Sequence, residues 1–109
     1  GKFKCWDGSQ LMYSSSFENG ARHGVYKQWY ANGVLYIDSK FNNGKRDGKY
    51  TQWHSNGVLC ASCCYDKGKM VGENKEWFEN GKLQKQCFFI DDLMDGNYYQ
   101  WDRSGKLVQ

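Results

Sequence analysis

The stretch Gly24 to Asp47, GVYKQWYANGVLYIDSKFNNGKRD, decides the fold, because the rest of the chain is this stretch rewritten with substitutions. Trp29 recurs as Trp53, Trp77 and Trp101, and Gly24 recurs as Gly48, Gly72 and Gly96, each at a spacing of 24 residues. Asn32-Gly33 returns as Asn56-Gly57, Asn80-Gly81 and Ser104-Gly105. Two positions after each glycine stands a leucine: Leu35, Leu59, Leu83 and Leu107. An aromatic residue, Phe41, Tyr65 or Phe89, closes each unit. Self-similarity at one fixed period is the signature of a repeat array, in which each unit completes its packing only against its neighbours.

Outward from this stretch, Gly1, Phe3 and Trp6 match Gly24, Tyr26 and Trp29 at a spacing of 23, while Leu11, Phe17 and Gly20 match Leu35, Phe41 and Gly44 at 24. The first unit is therefore one residue short at its turn. A single repeat domain over 1–109 is expected, with units 1–23, 24–47, 48–71 and 72–95 and a half unit 96–109.

Inside a unit, Val25 to Tyr30 and Leu35 to Phe41 are short runs rich in aromatic and β-branched residues, and Asn32-Gly33 separates them. That is a hairpin signal, since Asn and Gly tolerate the positive φ that primed turns require. The linking segments Asn42 to Gly48 and Asp66 to Gly72 reverse the chain again. The reading is an all-β, single-layer antiparallel sheet of tandem hairpins. Strands of about seven residues span roughly 23 Å, and about nine of them stack to roughly 40 Å. A helical unit fails, because its glycines carry a repeated penalty and no apolar stripe of period 3.6 survives through Asn32-Gly33.

Strand alternation sorts side chains into columns. Leu35, Ile37, Ser39 and Phe41 are expected on one face and Tyr36, Asp38 and Lys40 on the other. A two-residue turn would pair Tyr30 with Leu35, whereas a three-residue loop with a glycine bulge pairs Trp29 with Leu35. The bulged register is the favoured one. It is expected to gather the Trp, Leu and Phe columns on one face and to leave Tyr26, Tyr50 and Tyr98 on the other.

With a formal net charge of +3, the chain falls short of the basic footprint of a nucleic-acid binder. Proline is absent, Gly is 13 and aromatics make up 17% of residues, which suits short strands and tight turns. Five cysteines, three of them clustered at Cys60, Cys63 and Cys64, argue against a complete disulfide framework and point to a reducing, cytoplasmic setting. Cys60-Ala-Ser-Cys63 has the form of a zinc half-site, but it lacks a partner pair, and residues three apart on a strand diverge. Cys63 and Cys87 are read as small space-fillers equivalent to Ser15 and Ser39. The two histidines, His23 and His54, stand in no nucleophile pairing, and Asp91, Asp92 and Asp95 lack the ligand spacing of a calcium loop. No catalytic apparatus, metal, cofactor or small-molecule substrate is expected.

The units Phe41-Asn-Asn-Gly44-Lys45-Arg-Asp-Gly48 and Tyr65-Asp-Lys-Gly68-Lys69-Met-Val-Gly72 resemble the aromatic-x-x-Gly-Lys-x-x-Gly core of MORN repeats. The interposed Trp-x-x-Asn-Gly-x-Leu resembles their divergent second type, found in bacterial antitoxin-like proteins and in proteins of large DNA viruses. The match departs at Asp92-Leu93, where the linking glycine is lost. The resemblance implies an elongated, twisted array of hairpins that serves as a scaffold, a protein-binding or dimerisation module, or a lipid-associated module.

Two surfaces stand out as candidates. The first is an aromatic protein-binding face of Trp6, Trp29, Trp53, Trp77, Trp101, Leu35, Leu59, Leu83, Phe41, Tyr65 and Phe89, which a one-layer sheet leaves uncovered. A protein partner or a second copy of the chain is expected there. The second is an anion-binding rim of Arg22, His23, Lys45, Arg46, Lys67 and Lys69 in successive linking turns, for which an anionic membrane surface is the alternative partner. An antitoxin-like inhibitor of a toxin partner is the third reading. Open strand edges at both ends are expected to pair end to end or to take a covering flank.

Overall fold

The computed structural model describes residues 2–8 and 10–108, apart from the side chain of Leu11. The boundary positions Gly1 and Gln109 of the expected units lie outside them. The described residues form one antiparallel sheet of twelve strands: β1 Lys2–Asp7, β2 Gln10–Glu18, β3 Ala21–Arg22, β4 Gly24–Trp29, β5 Leu35–Asn42, β6 Lys45–Arg46, β7 Gly48–Trp53, β8 Leu59–Asp66, β9 Lys69–Trp77, β10 Leu83–Ile90, β11 Leu93–Met94 and β12 Tyr99–Gln100. The path is β1-β2-β4-β5-β7-β8-β9-β10-β11, with β3, β6 and β12 pairing β2, β5 and β10. Extents of 45 × 33 × 11 Å describe a single layer. The radius of gyration is 15.7 Å, against about 13 Å for a compact domain of this length.

Each hairpin is built by the bulged register. Tyr30 N donates to Val34 O and Gly33 N to Tyr30 O, closing a three-residue loop, and the same pair of bonds recurs from His54 and Gly57 and from Phe78 and Gly81. Gly33, Gly57 and Gly81 take φ of 88°, 86° and 85°. Among these loops only the glycine, and not the asparagine before it, is left-handed. The turn is therefore not a primed two-residue turn, and the asparagine has another task. Asn32 Oδ1 accepts from Val34 N at 3.0 Å, while its Nδ2 donates to Ser55 O of the next loop at 2.9 Å. Asn56 and Asn80 repeat both bonds toward Glu79 and Arg103.

Primed geometry occurs instead in the linking turns. Asn19-Gly20 and Asn43-Gly44 have φ of 52° and 82° and of 50° and 84°, so that Phe17 pairs with Arg22 and Phe41 with Arg46. Gly44 N reaches Arg22 O and Gly68 N reaches Arg46 O, each at 2.8 Å, which ties successive turns together. Where the glycine is lost, Asp92 takes φ 69° itself. Its N donates to Met70 O at 3.0 Å, and its Oδ1 accepts from Met70 N at 2.6 Å. The departure in sequence thus leaves the regular geometry intact.

The bulge corrects the expected columns. Gln28 lies opposite Ile37 but Trp29 lies opposite Leu35, so Tyr36 is the extra residue. The same slip recurs at Met12, Cys60 and Gln84. A bulge places two residues of one strand against one of the other. Leu35 therefore faces the Trp29 side, while Tyr36 joins Ile37, and its ring lies 4.6 Å from that of Tyr30.

Candidate functional site

The bulge divides the expected aromatic face in two. Trp29 shares a depression with Val25, Lys27 and Lys4, and its partner Leu35 accompanies it. Trp53 with Leu59 and Trp77 with Leu83 follow by the same register. Trp101 bridges to Leu107, and Trp6, opposite Leu11, is 55% exposed. This is the tryptophan face. Phe41, Tyr65 and Phe89 are not on it.

They lie on the opposite, tyrosine face. Tyr26 stands opposite Ser39 and meets the Phe41 ring edge-on at 5.7 Å, and Tyr50 stands opposite Cys63 and meets Tyr65 at 6.1 Å. Tyr26 and Tyr50 therefore share a face with the Phe column, contrary to the expectation from simple alternation. The physical reason is the parity lost at the bulge: it separates Trp29 and Leu35 from Ile37, Ser39 and Phe41.

On the tyrosine face the small column is the core. Ser15, Ser39, Cys63 and Cys87 are buried, with Ile37 next to Ser39 on the same face, although the sheet is a single layer. The space-filling role expected of Cys63 and Cys87 is what the structure shows, and both are free thiols. Burial pushes the Cys63 thiol up to about 11. The hydroxyls of Ser15 and Ser39 are buried without a hydrogen-bond partner among the described residues. Cys60, as the bulge residue, turns to the same face as Cys63 rather than diverging from it. Even so, no group of three metal-ligating side chains forms among the described residues.

The basic rim is dispersed. Arg22 lies over the rings of Phe17, Tyr26 and Phe41 at 5.5 to 5.8 Å, and Arg46 over Phe41, Tyr50 and Tyr65 at 5.2 to 5.9 Å. The two guanidiniums thus alternate with aromatic rings on the tyrosine face, an arrangement that suits a flat, weakly hydrated cation. Burial raises the Tyr50 hydroxyl above its ordinary range, with Arg46 pulling the other way. His23 is 3.4 Å from Glu18. Lys45 and Lys67 share a shallow hollow with Asp47, and Lys69 stands opposite Asp66 in the strand register of β8 and β9.

Sequence reasoning also missed the hydrogen bonds that run from hairpin to hairpin. Tyr30 Oη donates to Trp53 O at 2.8 Å, and His54, which replaces Tyr30 in the next unit, places Nε2 at 2.8 Å from Trp77 O. A repeated aromatic or imidazole ring just before each loop was the available signal.

A family model described as MORN repeat variant matches residues 22–43, 46–67 and 70–91, three consecutive units that together cover more than half of the chain. Each match begins at Arg22, Arg46 or Met70 and ends inside the next linking turn, so the family phase falls two residues before the Gly24 phase. Comparison with curated proteins finds none that matches this chain. With three matched units in register with twelve strands of one repeating sheet, the chain belongs to the MORN repeat variant family.

Proposed function

We propose that this chain is a non-catalytic docking module that presents its tryptophan face to other proteins, a second copy of itself among them. The single layer, 11 Å thick, carries the reading: the ladder of Trp and Leu pairs has no second layer over it. MORN repeats commonly serve as binding or scaffold modules and often mediate protein or membrane contacts, which supports the coarser half of this assignment. The tyrosine face is the weaker candidate, because its rings already pack on Arg22, Arg46 and one another. An inhibitor of a toxin partner would use the same tryptophan face.

The test is solution mass by light scattering over a range of concentrations, for the native chain and for a Trp53→Ser, Trp77→Ser double variant, both checked for fold by circular dichroism. A native dimer and a folded, monomeric variant are expected. A native monomer at every concentration would remove self-association and leave a heterologous partner to be sought.

A further inference from the structure

A row of side chains crosses the tryptophan face through the middle of the strands, each opposite the next: Lys4, Ser14, Lys27, Asp38, Thr51, Ser62, Lys75, Gln86 and Tyr99. Its first three members differ from the rest. Across β1, β2 and β4 the face sinks into a depression of about 360 Å³, in which Lys2, Lys4, Lys27 and Trp29 surround Ser14 and Ser16, with Val25 at the margin. Among the described residues, no carboxylate lines it. Lys2, Lys4 and Lys27 make no ion pair among the described residues.

The later units supply an internal comparison on the same frame. One period on, Asp38 and Lys40 replace Ser14 and Ser16, so the middle of the groove carries a carboxylate and a long side chain. Two periods on, Ser62 and Cys64 restore a small floor, but Glu73 stands in the Val25 position and pairs with Lys75 at 3.2 Å. Among the described residues, the first groove alone combines a small hydroxyl floor, three lysines and no acid. Asp38 does lie opposite Lys27, but on the side away from Ser14 and outside the depression.

We propose that this groove binds a phosphoryl group, carried as a monoester on a flat apolar moiety. Lys2 and Lys4 on one side of β2 and Lys27 on the other line the depression together with the hydroxyl residues Ser14 and Ser16 of β2, and Lys4 and Lys27 are each one strand away from Ser14. A phosphate monoester offers about two negative charges and three acceptor oxygens to such a set, where a carboxylate offers one charge and two oxygens. Lysine binds phosphate as a point charge and needs no planar geometry. The Trp29 indole and the exposed Val25 side chain then provide an apolar wall for the group that the ester carries. The site is separate from the linking-turn rim, and through Trp29 it lies at one end of the proposed docking face.

The experiment titrates the intact chain with phenyl phosphate, following tryptophan fluorescence and the backbone amide resonances of Ser14 and Lys27. In parallel it measures binding to vesicles containing phosphatidic acid, whose headgroup is also a monoester. Saturable binding is expected. Lys27→Gln should weaken it about tenfold, as expected for a lost charge-assisted hydrogen bond. Ser14→Asp should abolish it by installing the carboxylate that the next unit tolerates at Asp38. Lys75→Gln, far along the same row, should change it less than about twofold, as for an exposed charge. If phenyl phosphate does not bind but vesicles do, and Ser14→Asp abolishes vesicle binding, a lipid headgroup is the source and the site stands. Three outcomes overturn it: no saturable binding to either probe, binding intact in Ser14→Asp, or equal weakening by Lys27→Gln and Lys75→Gln. Should Ser14→Asp fail to fold, the comparison of Lys27→Gln with Lys75→Gln decides.

Discussion

Ser39 shows how finely the array is tuned at single positions. It is 2% exposed between Tyr26 and its neighbours, and its hydroxyl lacks a partner among the described residues. The equivalent positions one and two units on are Cys63 and Cys87, which need no hydrogen bond. A buried unsatisfied hydroxyl costs about 1–3 kcal/mol. Ser39→Cys is therefore expected to stabilise the chain by about 1 kcal/mol, read as a rise in the urea midpoint at unchanged slope. A lower midpoint would mean that the hydroxyl has a partner after all. The thiol pKa of Cys63 gives the opposite face of the same burial. Because the folded value, about 11, lies above the ordinary 9.0, the folded state holds its proton more tightly than the unfolded chain, and this contribution to stability is lost as pH rises from 9.0 through about 11.

At the scale of the element, the hairpin loop rests on one glycine with positive φ and one asparagine that bonds in two directions. Gly57 has φ 86° and open space where a Cβ would stand. Gly57→Ala thus tests backbone conformation without a clash. It is expected to cost about 1–2 kcal/mol, the price of a left-handed non-glycine residue, and to lower the melting temperature by several degrees. An unchanged melting temperature would show that the loop relaxes into another turn type. The bulge beside the loop was legible as a choice of register from Trp29, Leu35 and Gly33. Its effect on the columns is not legible there: simple alternation runs straight through Leu35 and Ile37, although the extra residue, Tyr36, lies between them.

For the whole molecule, the repeating bonds make each unit an extension of the one before. Turn is tied to turn through Arg22 and Gly44 and through Arg46 and Gly68, and loop to loop through Asn32 and Ser55 and through Asn56 and Glu79. Stability in such a chain is approximately a sum of unit and nearest-neighbour terms. Inserting a second copy of 48–71 after residue 71 is therefore expected to give a folded protein with a higher melting temperature. Two added strands should lengthen it by about 10 Å, measurable by small-angle X-ray scattering. A loss of cooperative unfolding, or no lengthening, would refute the linear reading of the array.

The sequence by itself determined the period, the hairpins, the single layer and the small column, because these follow from local turn chemistry and from alternation within one strand. Alternation within β5, β8 and β10 suffices to put Ser39, Cys63 and Cys87 in one buried column. Only the tertiary structure decided which face each residue occupies: one extra residue per hairpin reverses the alternation, and pairing between strands is what locates it. That reversal puts Phe41 on the face away from Trp29 and Cys60 on the face of Cys63. Arg22 and Arg46, legible only as charges in turns, are held over aromatic rings by the linking turns. The groove of Lys4, Ser14 and Lys27 likewise exists only across three strands, where residues distant in the chain meet.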